Sequence, residues 1–482
     1  MPVLVHISDL HRSLSDPIDN DTLFASVRRD LNSFGVQHGH PDSLIVSGDL
    51  VQGVRLDTPS FDEEMAKQYE AAFGLISRLC DTFLEGDRTR VSIVPGNHDV
   101  CWNTSASAMA LVDPKDEPQD ILRALSEEDS PYRWSWKDRR VYRVDAPPRH
   151  AARLDAYWNG VESFYDGVDL LMPIDRKRGF HLFEIFDGRG VLAGFESTHR
   201  NDHLNYQGRL KRGDVARCYN ALEDLGRTWE FVGAVWHHSI DGGPAESDYL
   251  SIEFVQEMAG LGFQLGFHGH QHKAQRSELS ISIDGGRTMA VVSAGSLCAG
   301  QPDLPRGTDR QYNIVVLNDE LTVGKLHVRE MVEGSQFTAR QSGRFLTGSV
   351  ELTWSPRLDA SGRRVRSDIT SVRKEIVAID DAIRSGRTPE DRDVQRLVDL
   401  FATLGEQPRQ LLARALRESN RPIDLIRLFS VPRTSAEAVY LAEAAVDLRN
   451  RDSLNRALSS GLLGPTEQEY FENQRFMILE TG

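Results

Sequence analysis

The chain has 482 residues, which is more than one ordinary hydrophobic core holds and predicts two or more domains. Its hydrophobic content of 40% and charged content of 27% are typical of a globular protein in water, and no apolar run approaches the ~20 residues of a membrane helix. The net charge of -16 disfavours non-specific binding to the phosphates of long nucleic acid.

The excess negative charge lies in the first part of the chain. From Ser355 onward the sequence carries 20 basic and 20 acidic residues, which leaves 36 basic and 52 acidic residues in 1–354. The N-terminus enters an apolar run at Val3 without a basic stretch, so we expect no signal peptide. The four cysteines form no CxxC pair, and together these features predict a cytoplasmic protein without a disulfide framework.

The first hundred residues alternate between strand and helix patterns. Apolar, β-branched runs at 3–8, 43–47 and 91–94 predict buried strands that end in polar tips. Between them, 22–34 and 64–80 carry the spacing of amphipathic helices. The alternation predicts an α/β layer fold.

Residues 101–190 have no clean periodicity, and we interpret them as an insertion above the strand ends, with a helix near 151–165. Their aromatic side chains are expected to form a small core, although stacking of a nucleobase on one of them is an alternative. Further along, 214–225 predicts a helix. Strand patterns follow at 191–195, 231–236, 263–267, 289–293, 312–317 and 321–328.

The composition changes after the last of these strands. Residues 336–366 are predicted to hold a strand and a linker, and 367–482 a helical domain. An apolar stripe with 3-4-3-4 spacing runs from Ile369 to Ile383, but two heptads favour the core of a helical hairpin over an oligomer seam. The basic stretch 363–366 is interpreted as solvated linker rather than as a phosphate-binding patch.

Polar residues follow five of the predicted strands. Because open α/β sheets hold their chemistry at the carboxyl ends of strands, we expect these side chains to converge. Carboxylate, imidazole and amide groups without thiolates suit divalent Mn, Fe, Zn, Co or Ni. Seven candidate ligands are more than one tetrahedrally coordinated ion can bind. They indicate two ions that share a bridging carboxylate. The candidate ligands are Asp9, His11, Asp49, Asn97, His237, His270 and His272.

The order and spelling of these tips resemble the calcineurin-like metallophosphoesterase superfamily. Its D-x-H, GD, GNH[DE], H and GHxH motifs all occur in order between Asp9 and His272. The resemblance implies an α/β fold, a four-layer β-sandwich flanked by helices, over residues 1–335, followed here by an all-α domain. The stretch after Asp49 lacks GDxxDRG and the third motif ends in Asp99 rather than Glu, which argues against the Ser/Thr protein phosphatase branch.

The resemblance also implies a role for each motif residue. His98 would contact the phosphate or protonate the leaving oxygen, and Asp99 would orient it. One metal would be held by Asp9, His11 and His272, the other by Asn97, His237 and His270, with Asp49 between them.

Two further histidines lie beside the motifs. His237 and His238 are adjacent on a strand, so only one can face the metals, and the family pattern favours His237. We expect His238 and His268 to support the ligands from behind or to pack in the core.

These features predict a metal-dependent phosphodiesterase that hydrolyses a small nucleotide-type substrate through a metal-activated hydroxide, with manganese favoured and His98 as general acid. Two alternatives stay open: a DNA or RNA nuclease of the SbcD-like kind, and a scaffold that keeps the fold without catalysis. The acidic charge counts against the nuclease and the complete ligand set against the scaffold. No membrane partner is expected, and the C-terminal helices are predicted to serve oligomerisation or binding of a protein partner.

Overall fold

The computed structural model forms two compact units, Met1–Arg366 and Ser367–Gly482. Part of the predicted linker and basic stretch lies outside the described residues. The structure describes residues 1–16, 18–240, 248–281, 287–300, 304–332, 335–358, 364–365, 368–401, 404 and 406–480.

The first unit contains strands and helices, and the regular elements among the described residues of the second unit are all helices. The strands are β1 Val3–Ile7, β2 Ser43–Val46, β3 Val91–Ile93, β4 Met109–Leu111, β5 Tyr132–Ser135, β6 Arg140–Val144, β7 Phe180–Ile185, β8 Gly190–Phe195, β9 Phe231–Val235, β10 Leu265–His268, β11 Gln275–Ile281, β12 Arg287–Ser293, β13 Gln311–Leu317, β14 Val323–Val332, β15 Gln336–Ala339 and β16 Val350–Thr353. The helices are α1 Asn20–His38, α2 Phe61–Phe83, α3 Trp102–Ser107, α4 Ile121–Ser126, α5 Pro147–Ala151, α6 Asp155–Phe164, α7 Asp214–Asp224, α8 Ile252–Gly260, α9 Asp368–Arg384, α10 Asp391–Asp399, α11 Glu406–Glu418, α12 Pro422–Leu428, α13 Ser435–Asp447, α14 Arg451–Ser459 and α15 Pro465–Glu480.

Two sheets form the centre of the first unit. One runs in the order β15-β14-β13-β1-β2-β3, with β16 also paired to β14. The other runs β11-β12-β10-β9-β8-β7. Strands β1, β2 and β3 are mutually parallel, as are β8, β9, β10 and β12. The first unit extends beyond the predicted boundary at residue 335, because β15 and β16 complete its first sheet.

The sheets pack face to face, and alternation along each strand divides its side chains between two layers. In β9, Phe231 and Val235 enter the cluster that also contains β1 and β2, whereas Val232 and Ala234 face the cluster of α7 and α8. Helices α1 and α2 cover the outer face of the first sheet. The predicted α/β architecture, two sheets flanked by helices with an all-α region after them, is confirmed.

The predicted insertion, residues 101–190, is only partly separate from the two main sheets. Strands β4, β6 and β5 form a small antiparallel sheet of their own, but β7 lies inside the predicted range and pairs with β8 in the second sheet. The helix α6 packs on α2, and its side chains belong to the main core rather than to a small separate one. Trp136, which lies between β5 and β6, is not part of this core and is 83% exposed.

The C-terminal unit has its own core, to which Ile379 of the predicted stripe belongs. At its centre, Arg409 Nε donates to Glu437 Oε1 at 2.7 Å, and the backbone N–H of Arg433 donates to Glu437 Oε2 at 2.7 Å. The Arg409 and Glu437 side chains are only 5% and 2% exposed. Among the described residues, no helix is long and apolar enough to cross a membrane.

Glu437→Gln is expected to destabilise this unit by about 3 kcal/mol, because it leaves the buried Arg409 charge without a counter-ion. Urea unfolding followed by circular dichroism measures the change in the helices, and tryptophan fluorescence follows the first unit, since all seven tryptophans precede residue 367. Glu390→Gln is the matched control: its pair with Arg392 is 76% and 84% exposed, so we expect a change below about 0.5 kcal/mol. An equal effect of both substitutions would contradict this account.

Candidate metal centre

The loops that follow β1, β2 and β10 hold their polar residues in strained backbone conformations. Asp9, His11 and Asp49 have φ angles of 51°, 42° and 50°, and His270 and His272 have φ angles of 76° and 53°. A non-glycine residue in this left-handed region costs about 1–3 kcal/mol and persists only where its surroundings fix it. Such strain is typical of functional sites, and here it falls on five of the seven predicted ligands.

Two glycines allow the loops to approach each other. Gly48 has a φ of 95°, and a Cβ there would lie 2.6 Å from Nδ1 of His237. A Cβ on Gly96 would overlap the carboxylate of Asp49. Both positions therefore require glycine for reasons of space, and Gly48 also for its left-handed backbone conformation.

Asp9, His11, Asp49 and His272 form a first group, with candidate ligand atoms within 4.8 Å of one another. The Nε2 atoms of His11 and His272 lie 2.9 Å apart. Oδ1 of Asp9 lies 3.4 Å from Nε2 of His272, and Oδ2 of Asp49 lies 3.6 Å from Nε2 of His11. Burial lowers the pKa of His11 to about 3, helped by the nearby His98, so its imidazole is neutral, the form that binds metal.

A second group adjoins the first through Asp49. Nε2 of His237 lies 3.1 Å from Oδ2 of Asp49 and 3.0 Å from Oδ1 of Asn97. Nδ1 of His270 lies 2.9 Å from the same Asn97 oxygen. Nδ1 of His237 faces the carbonyl oxygen of Ser47 at 2.8 Å and must donate to it, which directs Nε2 toward Asp49 and Asn97.

The buried carboxylate of Asp49 favours a positive charge beside it. Burial acts to lower the pKa of His237, yet the Asp49 carboxylate raises it to about 9. Burial likewise acts to raise the pKa of Asp49, and the charge of His237 and its neighbours brings it well below its usual range. Carboxylate, imidazole and amide donors that converge on one buried point fit divalent metal ions, and the shared Asp49 fits a bridge between two of them.

His98 lies beside these groups without joining them. Its backbone N–H donates to Oδ1 of Asp49 at 2.8 Å, and its Nδ1 donates to the carbonyl oxygen of Gln52 at 2.8 Å. Its ring lies edge-on to that of His11, with 4.6 Å between centroids. His98 and His11 line a cavity of about 610 Å³, so Nε2 of His98 is the nitrogen available to a ligand.

The structure corrects the expectation that Asp99 orients His98. The Asp99 carboxylate accepts from the backbone N–H of Gly96 at 2.8 Å, the backbone N–H of Leu50 at 3.3 Å and the hydroxyl of Tyr69 at 3.0 Å. Asn97–Asp99 is a 3₁₀ turn, so consecutive side chains point in different directions and Asp99 enters the core. It holds the turn itself to the loop after β2.

His238 and His268 lie behind the ligands. Nδ1 of His238 lies 2.8 Å from the hydroxyl of Ser197, and burial holds its pKa well below the usual range. The ring of His268 stacks on Trp236 at 5.8 Å between centroids. Both are buried.

Asp248 is a member of the site that sequence reasoning missed. Its Oδ2 lies 3.0 Å from Nε2 of His270 and so fixes the ring that presents Nδ1 to Asn97. The hydrogen bond from His270 lowers the pKa of Asp248. No motif surrounds this aspartate, and only folding brings it to the GHxH loop.

Asp248→Ala is expected to weaken metal binding at the His270 position by about 10–100-fold, because a carboxylate on the far imidazole nitrogen raises the basicity of a ligand. Titration of the metal-free protein with Mn²⁺ by calorimetry measures the change. Asp224→Ala, at an exposed aspartate of α7, is the control and should leave the affinity unaltered. An unchanged affinity in Asp248→Ala would remove Asp248 from the site.

A sequence profile described as calcineurin-like phosphoesterase matches residues 2–274, more than half of the chain. The chain therefore belongs to the calcineurin-like phosphoesterase family, which confirms the resemblance in the motifs. No protein with curated annotation matches the sequence.

Several solved structures are similar to this chain over about two thirds to three quarters of its length. A dimetal phosphatase from Danio rerio is 10% identical with a TM-score of 0.38, covering 73% of this chain and 99% of its own. A calcineurin-like phosphoesterase, YfkN from Bacillus subtilis, is 13% identical with a TM-score of 0.29, covering 77% and 96%. A 5'-nucleotidase from Candida albicans is 13% identical with a TM-score of 0.30, covering 66% of this chain and 47% of its own.

Proposed function

We propose that the protein is a dinuclear metal-dependent phosphodiesterase that hydrolyses a small nucleotide-type substrate. The convergence of the two ligand groups on the shared carboxylate of Asp49 carries this proposal. Two divalent ions there, with manganese favoured, would supply a water of lowered pKa and positive charge beside the phosphoryl oxygens.

The protein's own groups orient these donors and move a proton. Asp9, Asp49 and Asn97 are held on loops that backbone hydrogen bonds connect, including Asp9 N–H to Gly48 O at 3.0 Å and His11 N–H to Asp49 O at 3.0 Å. His98 has its Nδ1 proton committed to Gln52, so its Nε2 would carry the proton that the leaving oxygen receives.

The size and charge of the site favour a small substrate over a polymer. A cavity of about 610 Å³ beside His11 and His98 lies within the range of small-molecule sites, roughly 300–1,000 Å³. The acidic excess of residues 1–354 opposes a long polyanion.

The test is a panel of substrates with the full chain loaded with Mn²⁺: a phosphomonoester, an aliphatic phosphodiester, cyclic mononucleotides and single-stranded DNA. We expect turnover of the diesters, with cyclic nucleotides preferred. Turnover of the monoester alone would overturn the diesterase assignment, preferential turnover of DNA would support a nuclease, and no turnover with metal bound would support a scaffold.

We also propose that the C-terminal helical unit serves oligomerisation or binding of a protein partner. Its core is complete without the sheets of the first unit, and residues 367–482 carry 16 basic and 19 acidic residues, nearly balanced in charge. Light scattering measures the number of chains per particle for the full chain and for the chain without residues 367–482. An equal number in both would exclude oligomerisation through these helices and leave partner binding as their role.

A further inference from the structure

The cavity beside His98 has a second wall that none of the motif residues provides. It consists of the loop 52–58 and the beginning of α3, and it includes Arg55 and Trp102. Both side chains lie in the same cavity as His11 and His98. A ligand that reaches the metal centre through this cavity would contact them.

Hydrogen bonds fix the loop that carries Arg55. The side chain of Gln68 on α2 clamps Gly53, accepting from its N–H at 3.1 Å and donating to its carbonyl at 3.2 Å. The amide of Asn103 donates to the carbonyl of Arg55 at 2.8 Å, and the hydroxyl of Thr58 donates to it at 2.9 Å. The backbone of Arg55 is thus held in place although its side chain is exposed.

The guanidinium of Arg55 is available to an anion. Within the part of the chain that the structure describes, it has no ion pair, in contrast to Arg12, which binds Asp16 at 2.6 Å on the same side of the site. Glu64 is a further carboxylate at the cavity, so the wall is not uniformly basic. Among the described residues that line the cavity, Arg55 is the only lysine or arginine, and one cation beside acidic groups favours one phosphate or similar anion over a polymer.

Trp102 supplies a planar apolar surface at the same wall. It is half-buried, with its ring 5.5 Å from that of Tyr206 between centroids, and it packs partly on the main core. The part of the indole that faces the cavity offers a stacking surface to a nucleobase. Of the aromatic residues in the predicted insertion, Trp158 lies in the main core and Trp136 is exposed.

We propose that Arg55 and Trp102 form the substrate-recognition wall of the site, Arg55 binding an anionic oxygen of the substrate and Trp102 stacking on its base. The substrate would then be a small nucleotide diester whose base and phosphate span from Trp102 to His98. This inference rests on the proposed phosphodiesterase function, to which it adds the residues that would recognise the base and a phosphate oxygen of the substrate.

The experiment compares a cyclic mononucleotide with the aliphatic diester glycerophosphoethanolamine on the Mn²⁺-loaded full chain. Trp102→Ala should raise KM for the nucleotide by about tenfold or more, with kcat within a few-fold, and leave both constants for the aliphatic diester nearly unchanged. Arg55→Gln should raise KM for both diesters by about tenfold. Calorimetric titration with a nucleoside monophosphate should show the same losses in affinity without turnover.

Matched controls are Trp136→Ala and Arg29→Gln, at exposed residues outside the cavity, which should change neither constant. If wild type and Trp102→Ala turn over the nucleotide with equal KM values, Trp102 does not recognise the base. That result would leave the proposed phosphodiesterase function unaffected. Absence of turnover for both diesters in the metal-loaded wild type would instead overturn the proposed function.

Discussion

Asp49→Asn is expected to lower kcat by more than about 100-fold and to reduce the bound metal, because one carboxylate serves both ligand groups. Its Oδ2 lies 3.1 Å from His237 and 3.6 Å from His11, and its Oδ1 accepts the backbone N–H of His98. The amide of asparagine has no negative charge to balance the positive charge of the metal ions. Its NH₂ group would also place a hydrogen-bond donor where a carboxylate oxygen would otherwise bind metal. Elemental analysis of the purified chain and steady-state kinetics on a phosphodiester measure the two effects.

Asp166→Asn, at an exposed aspartate after α6, is the matched control for Asp49→Asn and should retain full activity and full metal content. Circular dichroism separates a local effect from loss of the fold. A variant Asp49→Asn that kept both ions and a rate within a few-fold of wild type would show that the carboxylate does not bridge.

His98→Ala is expected to keep its metals and lose about 10²–10⁴-fold in kcat, because in the proposed function the His98 side chain supplies a proton at Nε2 and no ligand to the metals. Its anchors are the carbonyl of Gln52 and the carboxylate of Asp49, and both remain in the variant. Loss of metal together with rate would assign His98 to the ligands instead. His40→Ala, at an exposed histidine, is the control and should be indistinguishable from wild type.

The leaving group gives a second readout for His98. A 4-nitrophenyl leaving group departs without protonation, whereas an alkoxide needs a proton. His98→Ala should therefore lose much less rate on an aryl diester than on an alkyl diester. Equal losses on both would indicate that His98 acts by positioning the phosphate.

The sequence predicts the strands that carry the site and the polar residues at their ends, because these features depend on short stretches of neighbouring residues. Runs such as 43–47 and 91–94 combine β-branched residues with a polar tip, and the structure places those tips at the carboxyl ends of parallel strands. Period-2 alternation in β9 further divides its residues between the two cores. The distances of 3.1 Å from His237 to Asp49 and 3.0 Å from His237 to Asn97 depend on which strands lie side by side, and the motifs of a known family indicate that order.

Long-range contacts and irregular turns are what the sequence leaves undetermined. Asp248 contacts His270 from 22 residues away in the sequence, and the 3₁₀ turn directs Asp99 toward Tyr69 instead of toward His98. The strand β7 was hidden in the predicted insertion because its neighbours in sequence lack periodicity, although it pairs with β8 along its whole length. Trp102 was passed over because it sits in a short helix next to a motif and carries no pattern of its own.

Metal stoichiometry tests the central claim most directly. The full chain, stripped of metal and then saturated with Mn²⁺, is freed of excess ion and analysed for manganese per chain. We expect about two ions per chain, falling to about one in Asn97→Ala, which removes a ligand of the second group only. One ion or fewer in the wild type, or an unchanged count in Asn97→Ala, would contradict a dinuclear centre bridged by Asp49.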